Sequence, residues 1–260
     1  MADIVYSRRG TGEPLVLIHG IGHRKEAWSP VVERLASHHD VIVLDLPGFG
    51  ASGQLPRQGP DRMEHLTEAL ETFFADLGLA RPHVAGNSLG GAIALELAAR
   101  GSVRSATALS PAGFWTETGR LWAFVVLMSI RMSSFLPTPV VQRIAMHQWA
   151  RGLALASLHT QGHRISSDVF LGDITALRRC TAFNRVLRAG VRYAYRGMPA
   201  VPATIAWGTK DRVLLPSQAA RARLQLPTVT HVALPGAGHV PMLDEPDLVA
   251  QVILEQVRAA

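Results

Sequence analysis

A serine stands between two glycines in residues 86–91, which read Gly-Asn-Ser-Leu-Gly-Gly. The apolar run 83–85 before this segment predicts a strand, and residues 92–99 after it are strong helix formers at helical spacing. Ser88 is therefore expected on a strand-to-helix turn, where the flanking glycines permit a strained backbone. Such a turn exposes the serine hydroxyl at the carboxyl edge of a sheet, beside the amide of Leu89 at a helix N-terminus.

A serine hydroxyl is a weak nucleophile at neutral pH, so nucleophilic chemistry here requires a histidine base and a carboxylate that orients it. Residues 203–207 predict a buried strand, and Asp211 lies on the turn just past its end. Residues 229–234 predict another strand, and His239 lies on the loop that follows. The chain order Ser88, Asp211, His239 is expected when nucleophile, acid and base stand on successive loops at one edge of a parallel sheet.

Other carboxylates and one histidine near these motifs have structural interpretations. The segment after the strand that follows the serine helix offers no carboxylate before Glu117, which argues against an acid at that place. Asp244 precedes the predicted final helix 248–257 and is expected to cap its N-terminus. Asp45 is expected to form a turn, and His19, which precedes a glycine, is expected to be structural.

A glycine-rich turn follows the predicted strand 15–18. Such a turn can aim a backbone N–H at negative charge that develops on a substrate oxygen. The expected donors of an oxyanion hole are the amides of Ile21 and Leu89. Glycine turns after strands are common. This one indicates an oxyanion hole only because of its position relative to the serine turn.

These motifs together resemble those of the α/β-hydrolase superfamily. The matching segments are His19-Gly20, residues 45–50 (Asp-Leu-Pro-Gly-Phe-Gly), the Ser88 turn, residues 207–211 (Trp-Gly-Thr-Lys-Asp) and Gly238-His239. The resemblance covers residues 3–112 and 200–258, and it does not fix the substrate.

The resemblance implies an α/β fold class: a mainly parallel central sheet flanked by helices, with a Ser-His-Asp triad. It also implies a helical lid inserted between the nucleophile half and the acid half. We therefore expect a first part of the hydrolase core at 1–112, the lid at 113–199 and a second part of the core at 200–260. The 260 residues, 48% of them hydrophobic, are enough for one such domain with an insertion.

The segment 113–199 lacks strand patterns and predicts three helices, at about 117–135, 139–158 and 166–194. It holds eleven arginines and three acidic residues, a net charge of +8, whereas the remaining residues sum to −2. The arginines that recur at helical spacing are expected on one helix face. They are Arg185, Arg188, Arg192 and Arg196.

This arginine-rich face has three interpretations: a solvated surface, attraction of an anionic substrate, or attraction to an acidic membrane surface. A nucleic-acid partner is not expected, because no binding motif is recognisable and the only lysines are Lys25 and Lys210.

Residues 121–130 are apolar on every side of a helix, though too few to span a bilayer. A helix of this kind is expected to be buried, mainly by packing against the core. One side of it is expected to line an apolar pocket above Ser88 that favours an acyl chain or an aromatic ring. The candidate wall residues are Trp115, Trp122, Met128, Met132 and Phe135.

The sequence begins in a strand pattern, without the basic and apolar segments of a secretory signal. Cys180 is the only cysteine, which excludes an intramolecular disulfide and fits a reducing compartment. A cytoplasmic location is therefore expected. His147, His159 and His163 lie too far apart to suggest a metal site, and the expected chemistry needs neither a metal nor a cofactor.

Taken together, the residues and the resemblance predict a serine hydrolase that cleaves small-molecule carboxylic esters through an acyl-enzyme. A serine nucleophile argues against dehalogenase-like and epoxide-hydrolase-like members, which use an aspartate at that place.

One alternative is a carbon–carbon bond hydrolase of ring-fission diketones, whose serine turn resembles residues 86–91. That group usually carries a tryptophan soon after the catalytic histidine, where this chain has Val240-Pro241-Met242-Leu243. A perhydrolase and a thioesterase are further alternatives. A ligand-binding protein on the same fold, without turnover, is the alternative from a different class, and the presence of all three triad residues argues against it.

Overall fold

The described part of the computed structural model, residues 3–53, 63–190 and 192–260, contains one sheet of seven strands. The strands are β1 Tyr6–Arg9, β2 Pro14–Ile18, β3 Asp40–Leu44, β4 His83–Asn87, β5 Ser105–Leu109, β6 Ala203–Gly208 and β7 Thr230–Leu234. Their spatial order is β1-β3-β2-β4-β5-β6-β7. The edge strand β1 runs antiparallel to β3, and every other neighbouring pair is parallel. The predicted α/β class with a mainly parallel sheet is confirmed.

Every residue of β3, β4, β5 and β6 is buried, as expected of parallel strands that are covered on both faces. The helices of the core are α1 Ser29–Ala36, α2 Met63–Asp76, α3 Leu89–Arg100, α9 Pro216–Gln225, α10 Pro241–Asp244 and α11 Pro246–Arg258. Helix α1 packs against α11, and α2 packs against α3. All the parallel strands end at one edge of the sheet, and the loops that follow them there hold the candidate catalytic residues.

A helical insertion, residues 113–199, separates β5 from β6. Its helices are α4 Glu117–Ser133, α5 Thr138–Met146, α6 Gln148–Ala154, α7 Ser167–Arg179 and α8 Phe183–Gly190. A small core of its own joins Val141 and Ala145 of α5 to Ile165 and Phe170. The insertion therefore folds partly on itself and partly on the sheet.

Two of the three predicted helices of the insertion are wrong in extent. The predicted helix 139–158 is broken at His147 into α5 and α6, and the predicted helix 166–194 is broken between α7 and α8. Because α8 ends at Gly190, Arg192 and Arg196 lie beyond it. The predicted four-arginine helix face therefore does not form.

The expectation that residues 121–130 are buried all round is also wrong. Leu121 and Val125 of α4 are 64% and 48% exposed, whereas Ala123 between them is buried. A helix that is apolar on every side carries no periodicity to show which side faces inward, and here the core covers only one face.

The junction of β4 and α3 brings backbones unusually close together. A Cβ on Gly86 would overlap the carbonyl of Gly90, and a Cβ on Gly90 would overlap the carbonyls of Ile18 and His19 at the end of β2. Helix α3 can therefore begin only two residues after β4 because glycine occupies both positions.

We expect Gly90→Ala to destabilise the protein by about 1–3 kcal/mol, the usual cost of overpacking a dense site, since the added methyl meets rigid backbone. Gly190→Ala is the matched control, because an added Cβ there has no atom within 4 Å. Thermal unfolding of both variants checks the prediction. Equal melting temperatures for Gly90→Ala and wild type would contradict it.

Candidate active site

Ser88 occupies the strained position between β4 and α3. Its backbone has φ +57° and ψ −111°, a conformation that a residue with a side chain rarely adopts. Hydrogen bonds hold this geometry: the Ser88 N–H donates to the carbonyl of Leu109 at 2.9 Å, and its carbonyl accepts from the amides of Ala92 and Ala112 at 3.0 and 3.1 Å. The predicted strand-to-helix turn is confirmed. Hydrogen bonds to neighbouring segments hold the strained backbone of Ser88 in place.

Asp211 and His239, which are 28 positions apart in sequence, meet at the same sheet edge. Nδ1 of His239 lies 2.9 Å from Oδ2 of Asp211, and both side chains are buried. The other carboxylate oxygen accepts the amides of Val213 and Leu214 at 2.9 and 2.8 Å. Because the carboxylate engages Nδ1, it leaves Nε2 as the ring nitrogen for another partner.

The loop of His239 is tied directly to the serine turn. Nδ2 of Asn87 donates to the carbonyl of His239 at 2.9 Å and to the carbonyl of Leu109 at 3.2 Å. Asn87 directly precedes Ser88, so one side chain fixes the distance between the two loops. Asn87 lies inside the serine motif, but the motif alone does not predict this contact with the His239 loop.

Asp244 does not cap the final helix, so that prediction is wrong. Its buried carboxylate accepts the amides of Thr160 at 3.0 Å, Gln161 at 2.8 Å and Gly238 at 2.8 Å. Helix α11 starts with no side-chain cap at Glu245. A buried carboxylate is stable only when it accepts several hydrogen bonds. These three amides supply them, whereas the N-terminus of an exposed helix would supply fewer.

The Asp244 contacts connect the helical insertion to the base loop. Thr160 and Gln161 belong to the insertion, and Gly238 precedes His239. On the other side of the histidine, the Val240 amide donates to the carbonyl of Leu158, another insertion residue, at 3.0 Å. The position of His239 is therefore coupled to the position of the insertion.

Two other buried histidines, His19 and His159, are held in a neutral state. Burial lowers the pKa of His19 and of His159 to about 4, so both are neutral at pH 7. Nε2 of His19 accepts the Leu46 amide at 2.9 Å, which confirms its structural role. Nδ1 of His159 lies 3.9 Å from Asp244.

Asp45 holds the turn after β3, as predicted. Its carboxylate accepts the amide of Lys25 at 2.7 Å and the amide of Ala51 at 2.9 Å. In the described ranges no group of three or more His, Cys, Asp or Glu side chains is placed to hold a metal ion.

An apolar cavity of about 40 Å³ lies at Ser88. Its lining residues are Ile21, Ser88, Leu89, Ala112, Trp115, Ala123, Phe124, Leu127, Val186, Leu187, Gly190, Val213 and Leu214. The two residues predicted to supply oxyanion-hole amides, Ile21 and Leu89, thus share one cavity with Ser88. The roles of their amides stay a prediction.

Only Trp115 of the five predicted wall residues lines this cavity. Trp122 instead donates its indole N–H to the carbonyl of Arg212 at 2.9 Å, and Met132 and Phe135 are 62% and 54% exposed. Met128 packs against the core outside the lining. These four predictions are wrong.

Phe124 and Leu127 supply the wall of α4 in place of the predicted residues. They lie three positions apart and therefore share a helix face, which is about 110° around the helix axis from the one that carries Leu121 and Val125. Their spacing was visible in the sequence, but the direction of that face was not.

A larger cavity of about 510 Å³ adjoins the first and shares Leu89, Val186 and Gly190 with it. Glu96 and Arg100 add polar groups to its lining. Ser88 lines the smaller cavity but not the larger one.

The family model described as the Alpha/beta hydrolase family matches residues 15–252 of this chain. "Lipase 3" of Moraxella sp. (strain TA144) is 28% identical over 251 residues, which are 90% of this chain and 74% of the lipase. "Epoxide hydrolase EphH" of Mycobacterium tuberculosis (strain ATCC 25618 / H37Rv) is 30% identical over 195 residues, 72% of this chain and 91% of that protein. The crystal structure of a membrane phospholipase A, described as a novel bacterial virulence factor, superposes with a TM-score of 0.75 at 28% identity, covering 100% of this chain and 84% of that one.

The low pKa values of the buried histidines predict a loss of stability on acidification. The unfolded chain takes up protons on both imidazoles below about pH 6.5, whereas the folded chain takes them up only near pH 4. The free energy of unfolding should therefore fall as the pH drops from about 6.5 towards 4.

Urea unfolding at several pH values checks this prediction. His159→Gln should flatten the dependence, because one of the two linked groups is removed, while the exposed control His147→Gln should leave it unchanged. Identical slopes for His159→Gln and wild type would show that His159 titrates normally.

Proposed function

The chain belongs to the Alpha/beta hydrolase family, and from this premise we propose that it is a serine hydrolase that cleaves carboxylic esters through an acyl-enzyme. Its relatives support a hydrolase of the ester type. The observation that carries the proposal is the buried Asp211–His239 pair, joined through Asn87 to a strained serine that lines an apolar cavity.

In the first half of the reaction, Ser88 Oγ attacks the carbonyl carbon of the ester. His239 Nε2 accepts the hydroxyl proton, and Asp211 holds the imidazole in the tautomer that leaves Nε2 free. The amides of Ile21 and Leu89 donate to the oxyanion of the tetrahedral intermediate. Collapse of that intermediate transfers the proton from His239 to the leaving alkoxide and leaves the acyl group on the serine.

In the second half, a water molecule replaces the alcohol. His239 accepts a proton from this water, which attacks the acyl carbon, and returns the proton to Ser88 as the carboxylic acid leaves. Each proton thus passes through one imidazole, from Ser88 to the leaving alkoxide in the first half and from water back to Ser88 in the second, and the proposed steps need no metal or cofactor.

The helical insertion acts as a lid over Ser88 in this proposal. Phe124, Leu127 and Val186 of the insertion give the cavity an apolar wall, which suits an acyl chain or an aromatic ring. A volume of about 40 Å³ accommodates a short acyl group. Longer chains would pass Leu89 and Gly190 into the larger cavity.

Epoxide hydrolysis is not proposed, although an epoxide hydrolase is among the relatives. Epoxide-hydrolase-like members of the superfamily use an aspartate nucleophile, and here the turn carries Ser88.

Removal of single triad members tests the mechanism. We expect Ser88→Ala to lower ester turnover at least about a thousandfold and Asp211→Asn to lower it by a similar factor, because the nucleophile or the correct imidazole tautomer is lost. Asp244→Asn is the matched control: it alters a carboxylate of the same neighbourhood that does not contact His239 Nδ1. Asp244→Asn should mainly lower the melting temperature and should affect turnover less than Asp211→Asn does. If Asp244→Asn impaired kcat more than Asp211→Asn, the acid would be wrongly assigned.

Acyl-chain selectivity tests the cavity. Each buried methylene contributes up to about 0.8 kcal/mol, so kcat/KM should rise several-fold per two carbons from acetyl esters until the space is filled. Leu127→Phe should depress the values for longer acyl groups more than that for acetyl. Val125→Phe, on the exposed face of the same helix, is the control and should leave the profile unchanged. A flat profile from acetyl to decanoyl would contradict an apolar acyl pocket.

A further inference from the structure

The outward face of α4 is apolar and uncovered. Leu121, Val125 and Met132 lie within about 40° of one another around the helix axis at 100° per residue. Their exposed fractions are 64%, 48% and 62%. Neither the core nor the Ser88 cavity uses these side chains.

The next two helices and the turn before them carry further exposed apolar side chains. Phe135 follows α4 and is 54% exposed, and Met146 at the end of α5 is 69% exposed. Trp149 and Leu153 are 66% and 71% exposed and, being four positions apart, share one face of α6. The apolar patch is defined here as these seven residues: Leu121, Val125, Met132, Phe135, Met146, Trp149 and Leu153.

Arg212 contacts the chain close to the first and last residues of this patch. Its carbonyl accepts the indole N–H of Trp122 at 2.9 Å, near the start of α4, and its Nη1 donates to the carbonyl of Ala156, just past α6, at 3.1 Å. Helices α4 and α5 are bent by 103° relative to each other. Because Arg212 directly follows Asp211, the patch lies at the same end of the molecule as the candidate site.

Length and composition limit how these helices could meet a membrane. In the part of the chain that the structure describes, no single helix is long and apolar enough to cross a bilayer, and α4 with α5 would qualify only as a bent pair. Exposed apolar side chains that are clustered in one part of the chain can mark a binding surface, and side chains carried on bent surface helices suit shallow contact with a membrane.

The helical insertion that carries the patch is positively charged. The helical insertion carries a net charge of +8. Arg143, Arg164 and Arg179 are exposed and form no ion pair with any described residue, and the Arg120–Glu117 pair is 3.9 Å apart. A surface that combines apolar side chains with free arginines complements anionic lipid headgroups over an apolar interior.

We propose that the apolar patch docks on the surface of an anionic phospholipid bilayer. The seven side chains enter the boundary between headgroups and acyl chains, and the arginines contact lipid phosphates. A second copy of this chain is a poorer occupant, because pairing two insertions would place one +8 segment against another.

Docking would orient the candidate site towards the lipid surface. If the proposed esterase function holds, the substrate then reaches Ser88 from the membrane, and this consequence rests on that function. The docking itself does not.

Sedimentation of the full chain with vesicles tests the proposal. Vesicles of equal parts phosphatidylcholine and phosphatidylglycerol should bind the protein, and high salt should weaken the binding, as should vesicles of phosphatidylcholine alone. The triple variant Leu121→Ser, Trp149→Ser, Leu153→Ser should bind about tenfold or more weakly. Leu224→Ser is the matched control, since Leu224 is 82% exposed on α9, outside the patch.

Circular dichroism and melting temperature establish that the triple variant is folded. Failure of wild type to bind the anionic vesicles would overturn the proposal, as would equal binding by the triple variant. So would a wild-type dimer that the triple variant converts to a monomer, because a second copy would then cover the patch. Hydrolysis of a water-soluble short-chain ester is measured in parallel: vesicle binding without hydrolysis contradicts the proposed function and leaves the docking intact.

Discussion

The close approach of two backbones, α3 against the end of β2, sets the geometry on which the candidate site depends. Helix α3 passes so near the carbonyl of Ile18 that position 90 has no room for a side chain, and Gly86 meets Gly90 in the same way. A chain that must turn from strand to helix in this space forces Ser88 to a positive φ. The strain is held by hydrogen bonds to β5 and to the segment after it.

The base is held in place by contacts of a different kind. Three successive residues of its loop are each anchored: Gly238 to the Asp244 carboxylate, His239 to the Asn87 amide and Val240 to the carbonyl of Leu158. Two of these anchors depend on the helical insertion, because Asp244 is satisfied by amides at 160 and 161. The insertion is therefore part of the support of the site, as well as one wall of its cavity.

Short-range motifs explain what the sequence could predict. The glycines around Ser88, the strand ends before Asp211 and His239, and the turn at Asp45 are local patterns, and parallel strands bring their loops together wherever the helices between them lie. The sheet class was implied by the resemblance to the α/β-hydrolase superfamily that these motifs carry. The oxyanion-hole amides and a cytoplasmic location stay predictions.

Features set by tertiary packing were not predictable. Residues 121–130 are apolar on all sides, so nothing in them shows that Phe124 faces Ser88 while Leu121 faces outward. The break at His147 has neither proline nor glycine to mark it. Asp244 resembles a helix cap because the sequence does not show that amides 84 and 83 positions earlier reach it first.

The central claim, an activated serine at position 88, is tested most directly by reaction with a fluorophosphonate followed by peptide mass spectrometry. We expect one phosphonylated residue, Ser88, and a labelling rate that falls sharply in Asp211→Asn, since the imidazole must accept the serine proton as the bond forms. Folded protein that remains unlabelled, or is labelled elsewhere, would contradict the account and favour a ligand-binding protein without turnover.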